Sequence, residues 1–376
     1  MPKKNHRLPC LVLGFSIALN LSPFVSAQTK TLATDVGQVA VERMVGGLDT
    51  PWSLAFLPTG GMLVTERDGA LLFIGEDWTK TRVSGVPEVY ASGQGGLLDV
   101  VAARDFAETR EIFLSFAAPR RSGTATNLIA ARLSDDHSAL ENIRTLFAQP
   151  EDHGGRHYAG RILEAPDGTI FLTLGDLADR PRVQRQDAYN GKLVRLNRDG
   201  TVPADNPFAN GPYKPEVWSV GHRNPQGLAM AEDGTLWTNS HGARGGDEVN
   251  LIEEGKNYGW PVISYGQHYT YRTIGEGTAK PGLEQPKHYW DPSIAPSGMM
   301  IYSGELFPEW QGDLFIGSLK FDLISRLDHD GDAIAAEERL FEGEFERIRD
   351  IREGPDGAIW FLSEGDDALY RITPAE

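Results

Sequence analysis

A short unit recurs along this chain, and no copy is large enough to fold alone. Each copy reads as a turn of the Pro-Asp-Gly kind, then three or four apolar residues, then usually a second turn and strand. The copies start at Pro58, Phe106, Pro166, Ala231, Trp310 and Pro355. Short apolar runs bounded by Gly, Pro and Asp predict an all-β protein. Because one such unit cannot bury both of its faces, the copies must stack against one another.

Six copies predict a six-bladed β-propeller with four-stranded antiparallel blades, an arrangement that leaves few strand edges exposed. Residues 28–376 then form a single propeller domain. The alternative is a β-sandwich with appendages, although sandwiches lack a repeat of this period. The wide gap between Tyr258 and Trp290 predicts a long loop on one face, and loops of this length usually shape a site.

The N-terminus has the features of a secretory signal peptide. Two lysines and an arginine precede an apolar run over residues 8–21, and small residues follow at 25–28. This pattern predicts a signal peptide over residues 1–27, cleaved after Ala27, and a periplasmic or secreted mature protein. The run is too short to span a membrane. The alternative is an N-terminal anchor that stays attached.

Charge and cysteine content exclude several classes of function. The chain carries a net charge of −17, and loss of the signal peptide would leave 33 basic against 53 acidic residues, or −20. This balance argues against nucleic acid and anionic membranes as partners. The one cysteine, Cys10, lies in the predicted signal peptide. The mature chain therefore has no disulfide, zinc thiolate site or cysteine nucleophile, and no later segment could span a bilayer.

Polar residues at the ends of the predicted strands are candidates for chemistry. His157 stands just ahead of the third repeat, and Asp176 follows the strand of that repeat. A strand–turn–strand unit can bring the two together as a general base with its carboxylate partner. The alternative is a loop histidine and a turn aspartate, both in solvent. The sequence contains no dinucleotide fingerprint, phosphate-binding loop or nucleophile elbow.

Cations also stand at strand ends in this acidic chain. Arg223 precedes Asn224 in "GHRN", Lys320 ends "GSLK", and Arg347 and Arg349 share one strand face in "ERIRDI". Together they indicate a site for a polyanion, because arginine binds carboxylates in a bidentate manner. Each could instead pair with one of the many acidic residues. The Gly-rich turn "NSHGARGGDEVNLI" offers carbonyl and carboxylate oxygens, which suit Ca²⁺.

Taken together, these segments resemble the soluble aldose sugar dehydrogenases that depend on pyrroloquinoline quinone (PQQ), relatives of soluble quinoprotein glucose dehydrogenase. The matching stretches include "GQGGLLDV", "HYAGRI", "LTLGD", "GHRNPQGLA", "HGARGGDEVNLIEEGKNYGWPVISYG", "APSGM", "GSLK" and "RIRDI". They run in order from Gly47 to beyond Asp350 and cover nearly the whole mature chain. The resemblance implies a six-bladed propeller that oxidises an aldose at the anomeric carbon to a lactone.

The resemblance also implies roles for individual residues. His157 would be the general base, with hydride passing to PQQ, and Asp176 would orient that base. The cofactor-binding positions would be Gln94, Arg223, Asn224, Tyr269, Lys320, Arg347 and Arg349, with Ser293 as a looser match. An external acceptor (a quinone, cytochrome or dye) would reoxidise the cofactor. The protein would be a monomer or a homodimer, and His222 would be structural.

The implied metal is Ca²⁺, at two sites. In the family, two main-chain carbonyls hold the ion beside the cofactor, and the matching positions are Gly242 and Ala243. Ala243 replaces a usual proline, so it keeps the carbonyl without the fixed φ. A second, structural site matches Glu248 and Tyr258, the tyrosine through its backbone oxygen.

Two other functions remain open from the sequence. A Ca²⁺-dependent propeller lactonase or esterase would need acidic and amide ligands in the channel and no cluster of cations. A non-catalytic carbohydrate-binding propeller would need aromatic platforms but neither the base nor the cations. The set of cations is the feature that distinguishes the three.

Overall fold

The computed structural model describes residues 29–150, 154–331 and 333–375, and its regular structure is almost entirely β-strand. The predicted signal peptide, residues 1–27, lies outside the described residues. Six antiparallel sheets surround one axis, which confirms the predicted β-propeller. Among the described residues, no helix has the length and hydropathy needed to cross a membrane.

Two strands come first, β1 (Thr29–Thr34) and β2 (Gly37–Gly46), and blades 1 to 3 follow. Blade 1 comprises β3 (Pro51–Phe56), β4 (Met62–Glu66), β5 (Leu71–Ile74) and β6 (Lys80–Val83). Blade 2 comprises β7 (Leu97–Ala102), the short helix α1 (Phe106–Thr109), β8 (Glu111–Pro119), β9 (Thr124–Leu133) and β10 (Leu140–Ala148). Blade 3 comprises β11 (Ala159–Glu164), β12 (Ile170–Leu174), a 3₁₀ turn (Arg180–Arg182), β13 (Lys192–Leu196) and β14 (Val217–Val220).

Blades 4 to 6 complete the ring. Blade 4 comprises β15 (Pro225–Met230), β16 (Leu236–Ser240), β17 (Asp247–Ile252) and β18 (His288–Trp290). Blade 5 comprises β19 (Pro296–Ile301), a 3₁₀ turn (Pro308–Trp310), β20 (Leu314–Ser318), β21 (Ile324–Asp330) and β22 (Ala333–Leu340). Blade 6 takes β23 (Ile348–Glu353), β24 (Ile359–Ser363) and β25 (Ala368–Pro374) from the C-terminal end of the chain.

The N-terminal strands close the ring. β2 pairs antiparallel with β25, with Val41 opposite Ile372, and so supplies the fourth strand of blade 6. β1 then pairs with β2, which makes this sheet five-stranded where four strands were predicted. The extra strand covers an edge of β2 that would otherwise present unpaired backbone groups.

The first strand of each blade lies at the axis. These inner strands, β3, β7, β11, β15, β19 and β23, contact one another in sequence around the ring. Each predicted repeat begins in the connection between an inner strand and the second strand of its blade. All six connections therefore lie on one face. Inner strands begin and second strands end on the opposite face, which we name the upper face.

The hydrophobic core lies between neighbouring blades. The second strands β4, β12, β16, β20 and β24 are buried along their whole length, because sheets pack against both of their faces. Sequences such as "IFLTL" are therefore mostly apolar along their length rather than alternating. Burial of these apolar side chains is the main stabilising contribution, and it fixes the strand ends that carry the site.

Candidate active site at the axis of the propeller

The topology brings the predicted site residues to the upper face. Some stand at or just before the start of an inner strand, and these are Gln94, His157, Arg223, Asn224, Arg347 and Arg349. Others follow the end of a second strand, and these are Asp176, Gly242, Ala243 and Lys320. Residues that are distant in sequence therefore meet around one axis.

Two adjoining cavities open on this face. The first has a volume of about 230 Å³, and Arg67, Arg347 and Arg349 are its cationic lining residues. The second has a volume of about 310 Å³ and is lined by His157, Arg223 and Tyr269, with Gln94 shared between the two. As far as the described residues define them, neither cavity has a carboxylate in its lining. Both cavities therefore suit an anionic ligand.

His157 and Asp176 form a hydrogen-bonded pair beside these cavities. His157 Nδ1 lies 2.6 Å from Asp176 Oδ1, and Arg223 Nη2 lies 3.3 Å from His157 Nε2. An arginine can only donate, so Nε2 must be an acceptor and the ring proton must be on Nδ1. The pair thus places the histidine lone pair at Nε2, where it accepts from Arg223.

The protonation states agree with this assignment. Burial lowers the pKa of His157 below its ordinary 6.5, and the charge of Arg223 adds to this effect, together outweighing the bond to Asp176. Burial raises the pKa of Asp176, but the hydrogen bond and charge of His157 and the charge of Arg223 bring it below the ordinary value. At neutral pH the site therefore holds a neutral imidazole beside a carboxylate.

The backbone around His157 is specified locally. His157 has a φ of +59°, and its N–H donates to Gln94 Oε1 at 2.8 Å. A Cβ at Gly175 would lie 1.8 Å from the His157 carbonyl oxygen, so only glycine fits between the histidine and Asp176. The glycine of "TLGD" is therefore required for the close approach of the pair.

Two of the three arginines of the first cavity are held by a carboxylate outside its lining. Glu364 pairs with Arg347 at 3.1 Å and with Arg349 at 2.5 Å. The Arg223 Nε is buried with no hydrogen-bond partner among the described residues. Asn224 lines the first cavity, and its Oδ1 accepts from the Ala159 N–H at 3.1 Å.

Some predicted residues lie at the margin of the site. Lys320 is exposed, lines neither cavity, and has its ammonium 4.6 Å from the ring centroid of Phe321. Tyr269 lines the second cavity but is 68% exposed. His222 is buried, with Nε2 2.8 Å from Ser219 Oγ, and its ring stacks on Tyr258.

The sequence analysis missed Arg67, Glu364 and Trp260. Arg67 and Glu364 each directly follow a second strand, one position before the place that Asp176 and Lys320 occupy in their own blades. Alignment of the six repeats by their second strands could have found both. Trp260 comes from the long loop between β17 and β18, and its indole N–H donates to Asp176 Oδ2 at 2.9 Å. No repeat position signals this contact.

The turn after β16, which carries the predicted Ca²⁺ positions Gly242 and Ala243, is closely packed and hydrogen-bonded to Asp247. The Gly242 N–H donates to Asp247 Oδ1 at 2.7 Å, and Asp247 Oδ2 accepts from Ser293 Oγ at 2.6 Å. A Cβ at Gly242 would lie 2.2 Å from the Gly245 carbonyl oxygen. Within the described residues, no group of three or more His, Cys, Asp or Glu side chains could hold a metal. A cation at Gly242 and Ala243 would need their backbone oxygens.

Glu248 and Tyr258 occupy separate environments. Burial raises the pKa of the Glu248 carboxyl to about 7, and the nearest donor is Asn250 Nδ2 at 3.2 Å. The Tyr258 hydroxyl donates to the Leu251 carbonyl at 2.7 Å and accepts from the Glu253 N–H at 2.9 Å. No hydrogen bond or ion pair joins Glu248 to Tyr258 in the part of the chain that the structure describes. The Tyr258 hydroxyl is thus occupied, which leaves its backbone oxygen for a ligand.

Known proteins resemble this chain in both fold and sequence. The sequence profile of the glucose/sorbosone dehydrogenase family matches residues 48–371. This chain belongs to that family. It is 44% identical over 349 residues to aldose sugar dehydrogenase YliI of Escherichia coli (strain K12), covering 89% of this chain and 93% of the relative.

Solved structures of glucose/sorbosone dehydrogenase relatives superpose closely. A glucose dehydrogenase crystal structure matches with a TM-score of 0.86 and 45% identity, over 89% of this chain and 99% of the other. The PQQ-bound form of aldose sugar dehydrogenase from Streptomyces coelicolor matches with a TM-score of 0.75 and 27% identity, over 89% and 98%. The family resemblance predicted from the sequence motifs is confirmed.

Proposed function

We propose that this glucose/sorbosone dehydrogenase oxidises aldose sugars at the anomeric carbon to lactones, with PQQ and Ca²⁺ as cofactors. An external acceptor receives the electrons. The observation that carries the proposal is a neutral histidine, oriented by an ionised aspartate, beside cavities lined by arginines in an acidic protein. The aldose sugar and the PQQ named for the relatives support the proposal.

The residues of the two cavities fit a planar tricarboxylate quinone. Arg67, Arg347 and Arg349 would bind carboxylate groups, and the unpartnered Arg223 Nε is a further donor. Asn224 and Gln94 would add amide contacts, with Tyr269 and Lys320 at the rim. When bound, PQQ would supply an electron-accepting o-quinone, which a Ca²⁺ ion on the Gly242 and Ala243 carbonyls would polarise as a Lewis acid.

The protein's own residues carry the proton. His157 Nε2 would take the proton of the anomeric hydroxyl, so that the C1 oxygen can become the lactone carbonyl. Asp176 would hold the Nδ1–H and stabilise the imidazolium that forms. Arg223, within 3.3 Å of Nε2, disfavours a charged ring, and its hydrogen bond to Nε2 would give way to the anomeric hydroxyl when the sugar binds.

A second Ca²⁺ site would involve Glu248 and the Tyr258 backbone oxygen. A buried carboxyl whose pKa is raised to about 7 gains from a cation that compensates its charge. This ion would stabilise blade 4 and the start of its long loop without taking part in the chemistry.

The structure gives less support to a propeller lactonase. Such an enzyme needs free acidic ligands at the axis. Asp99 and Asp350 do lie at the axis, but Arg161 is within 3.1 Å of the first and 3.0 Å of the second. A purely carbohydrate-binding propeller would have no use for the oriented histidine.

Reconstitution tests the proposal directly. The purified apo-protein is given PQQ and Ca²⁺, and dye reduction is followed with a panel of aldoses, with PQQ plus a chelator as the control. We expect a quinone absorbance change and aldose-dependent dye reduction only with both cofactors. Absence of both signals with every aldose would overturn the proposal, and lactone hydrolysis with Ca²⁺ alone would favour the lactonase.

Export is a separate proposal. A signal peptide cleaved after Ala27 would place the enzyme in the periplasm or outside the cell. Mass spectrometry of the protein from a native host should then give a mature chain that begins at Gln28. A chain that keeps residues 1–27 would support the alternative of a retained anchor.

A further inference from the structure

The two oxygens of Asp176 have different partners. Oδ1 accepts from His157 Nδ1 at 2.6 Å and from the Ala178 N–H at 2.7 Å. Oδ2 accepts from Trp260 Nε1 at 2.9 Å, the one donor to this oxygen among the described residues. The carboxylate is completely buried, so solvent cannot replace a lost donor.

Trp260 is itself firmly placed. The Trp260 backbone N–H donates to the Gly221 carbonyl at 3.0 Å, and the Trp260 backbone carbonyl accepts from Gln184 Nε2 at 2.7 Å. The side chain is 5% exposed. These bonds join the long loop of blade 4 to blade 3, so the indole approaches Asp176 from a different blade.

The indole also contacts the second neighbour of His157. The Arg223 guanidinium carbon lies 5.4 Å from the centroid of the Trp260 ring, and that of Arg180 lies 5.1 Å from it. Both distances are within the range of cation–π attraction. Arg223 is the residue that donates to His157 Nε2. One side chain therefore touches the partners of both ring nitrogens of His157.

We propose that Trp260 is a positioning residue for the His157–Asp176 pair. The indole N–H of Trp260 fixes the Asp176 carboxylate, and its ring attracts the Arg223 guanidinium. Trp260 therefore acts on both sides of the histidine. The inference rests on the proposed function, in which His157 is the base. Indole is a donor only, so it matches an ionised oxygen and cannot bind as an acceptor.

The physical consequence of losing the indole N–H follows from burial. Oδ2 would be left buried without a donor, which is costly for an ionised group. The carboxylate could then rotate to find another partner, and the Nδ1–H form of His157 would no longer be enforced. Partners that orient a reacting ligand typically contribute roughly 10- to 100-fold to activity.

The test compares Trp260→Phe with Trp360→Phe, a matched control. Trp360 is also 5% exposed, its Nε1 lies 3.2 Å from Asp356 Oδ1, and Arg371 lies 5.7 Å from its ring centroid. Asp356 lies in the connection between β23 and β24, on the face opposite the site. Both substitutions remove an indole donor from a buried tryptophan that contacts a carboxylate and an arginine. Asp356 is exposed whereas Asp176 is buried, and only Trp260 lies beside His157.

The first readout needs no cofactor. Proton and nitrogen NMR of the apo-protein should show the His157 Nδ1–H as a downfield signal in the wild type and in Trp360→Phe. In Trp260→Phe we expect this signal to be lost or exchange-broadened, with the imidazole nitrogens shifting toward a mixture of tautomers. An unchanged His157 spectrum in Trp260→Phe would overturn the proposal.

The second readout separates rate from binding. In the reconstituted enzyme, Trp260→Phe should lower kcat by roughly 10- to 100-fold with KM and PQQ affinity nearly unchanged. Wild-type kcat would overturn the positioning role. If the NMR change occurs but the wild-type protein oxidises no aldose, the proposed function fails while the placement of the pair by Trp260 stands.

A further measurement covers the case in which Trp260→Phe does not fold. The substitution Asp176→Asn in the apo-protein changes the hydrogen-bond acceptor of the Trp260 indole. It does not change the acceptor of any of the other seven tryptophans. One indole N–H signal should therefore move far more than the rest. If no indole signal moves, Trp260 does not bind Asp176 in solution and the inference is wrong.

Discussion

At the scale of single residues, the site depends on one lone pair at His157 Nε2. Asp176 and Arg223 assign the proton to Nδ1 from opposite sides of the ring. We predict that His157→Ala keeps PQQ affinity but loses roughly 10²- to 10⁴-fold in kcat, the usual contribution of a general base. Cofactor titration and steady-state kinetics measure the two quantities, with His137→Ala, in the turn between β9 and β10 of blade 2, as the control. Turnover at the wild-type rate would show that another group is the base.

The sequence predicted this pair but not everything that supports it. His157 and Asp176 flank one strand–turn–strand unit, so local topology was enough to bring them together. Trp260 acts from another blade, across a gap in sequence that no local pattern spans. Lys320 was predicted as a cofactor ligand from its strand end, but that position does not determine where a long flexible side chain points.

At the scale of elements, the strand that closes the ring carries a large share of stability. β2 buries Val39, Val41 and Val45 against blade 6 and its neighbours, whereas β1 lies on its outer edge. Each buried valine contributes about 1.5–3 kcal/mol, against a total of about 5–15 kcal/mol for a typical protein. We predict that deletion of residues 29–46 abolishes cooperative thermal unfolding, while deletion of residues 29–34 lowers Tm only slightly. Circular dichroism measures both transitions. An equally small loss of Tm in the two deletions would show that closure by β2 is unimportant.

The repeat was sufficient to predict the blades but not their closure. Six copies of one turn and strand indicated six blades, because each copy marks the same connection. The N-terminal strands contain no copy of that unit, and pairing of β2 with β25 joins the two ends of the chain. Nothing local in either segment specifies so distant a partner.

At the scale of the whole molecule, buried histidines make stability depend on pH. Burial, together with the charge of Lys192, lowers the pKa of His222 from 6.5 to about 3. The unfolded chain therefore binds this proton more readily than the folded one between these values. The contribution of His222 to the free energy of unfolding is constant above about pH 6.5 and falls as pH decreases toward 3. Urea unfolding at several pH values should show a shallower acid decline for His222→Phe than for the wild type. Parallel declines would contradict the assignment.

The pairing of β2 with β25 also links closure of the ring to assembly of the site. The site draws on residues from Arg67 to Glu364, and the sheet that carries Arg349 is completed by pairing of β2 with β25. Arg349 therefore reaches its place in the site only when β2 and β25 have paired, so formation of the cationic cavity is coupled to closure of the ring.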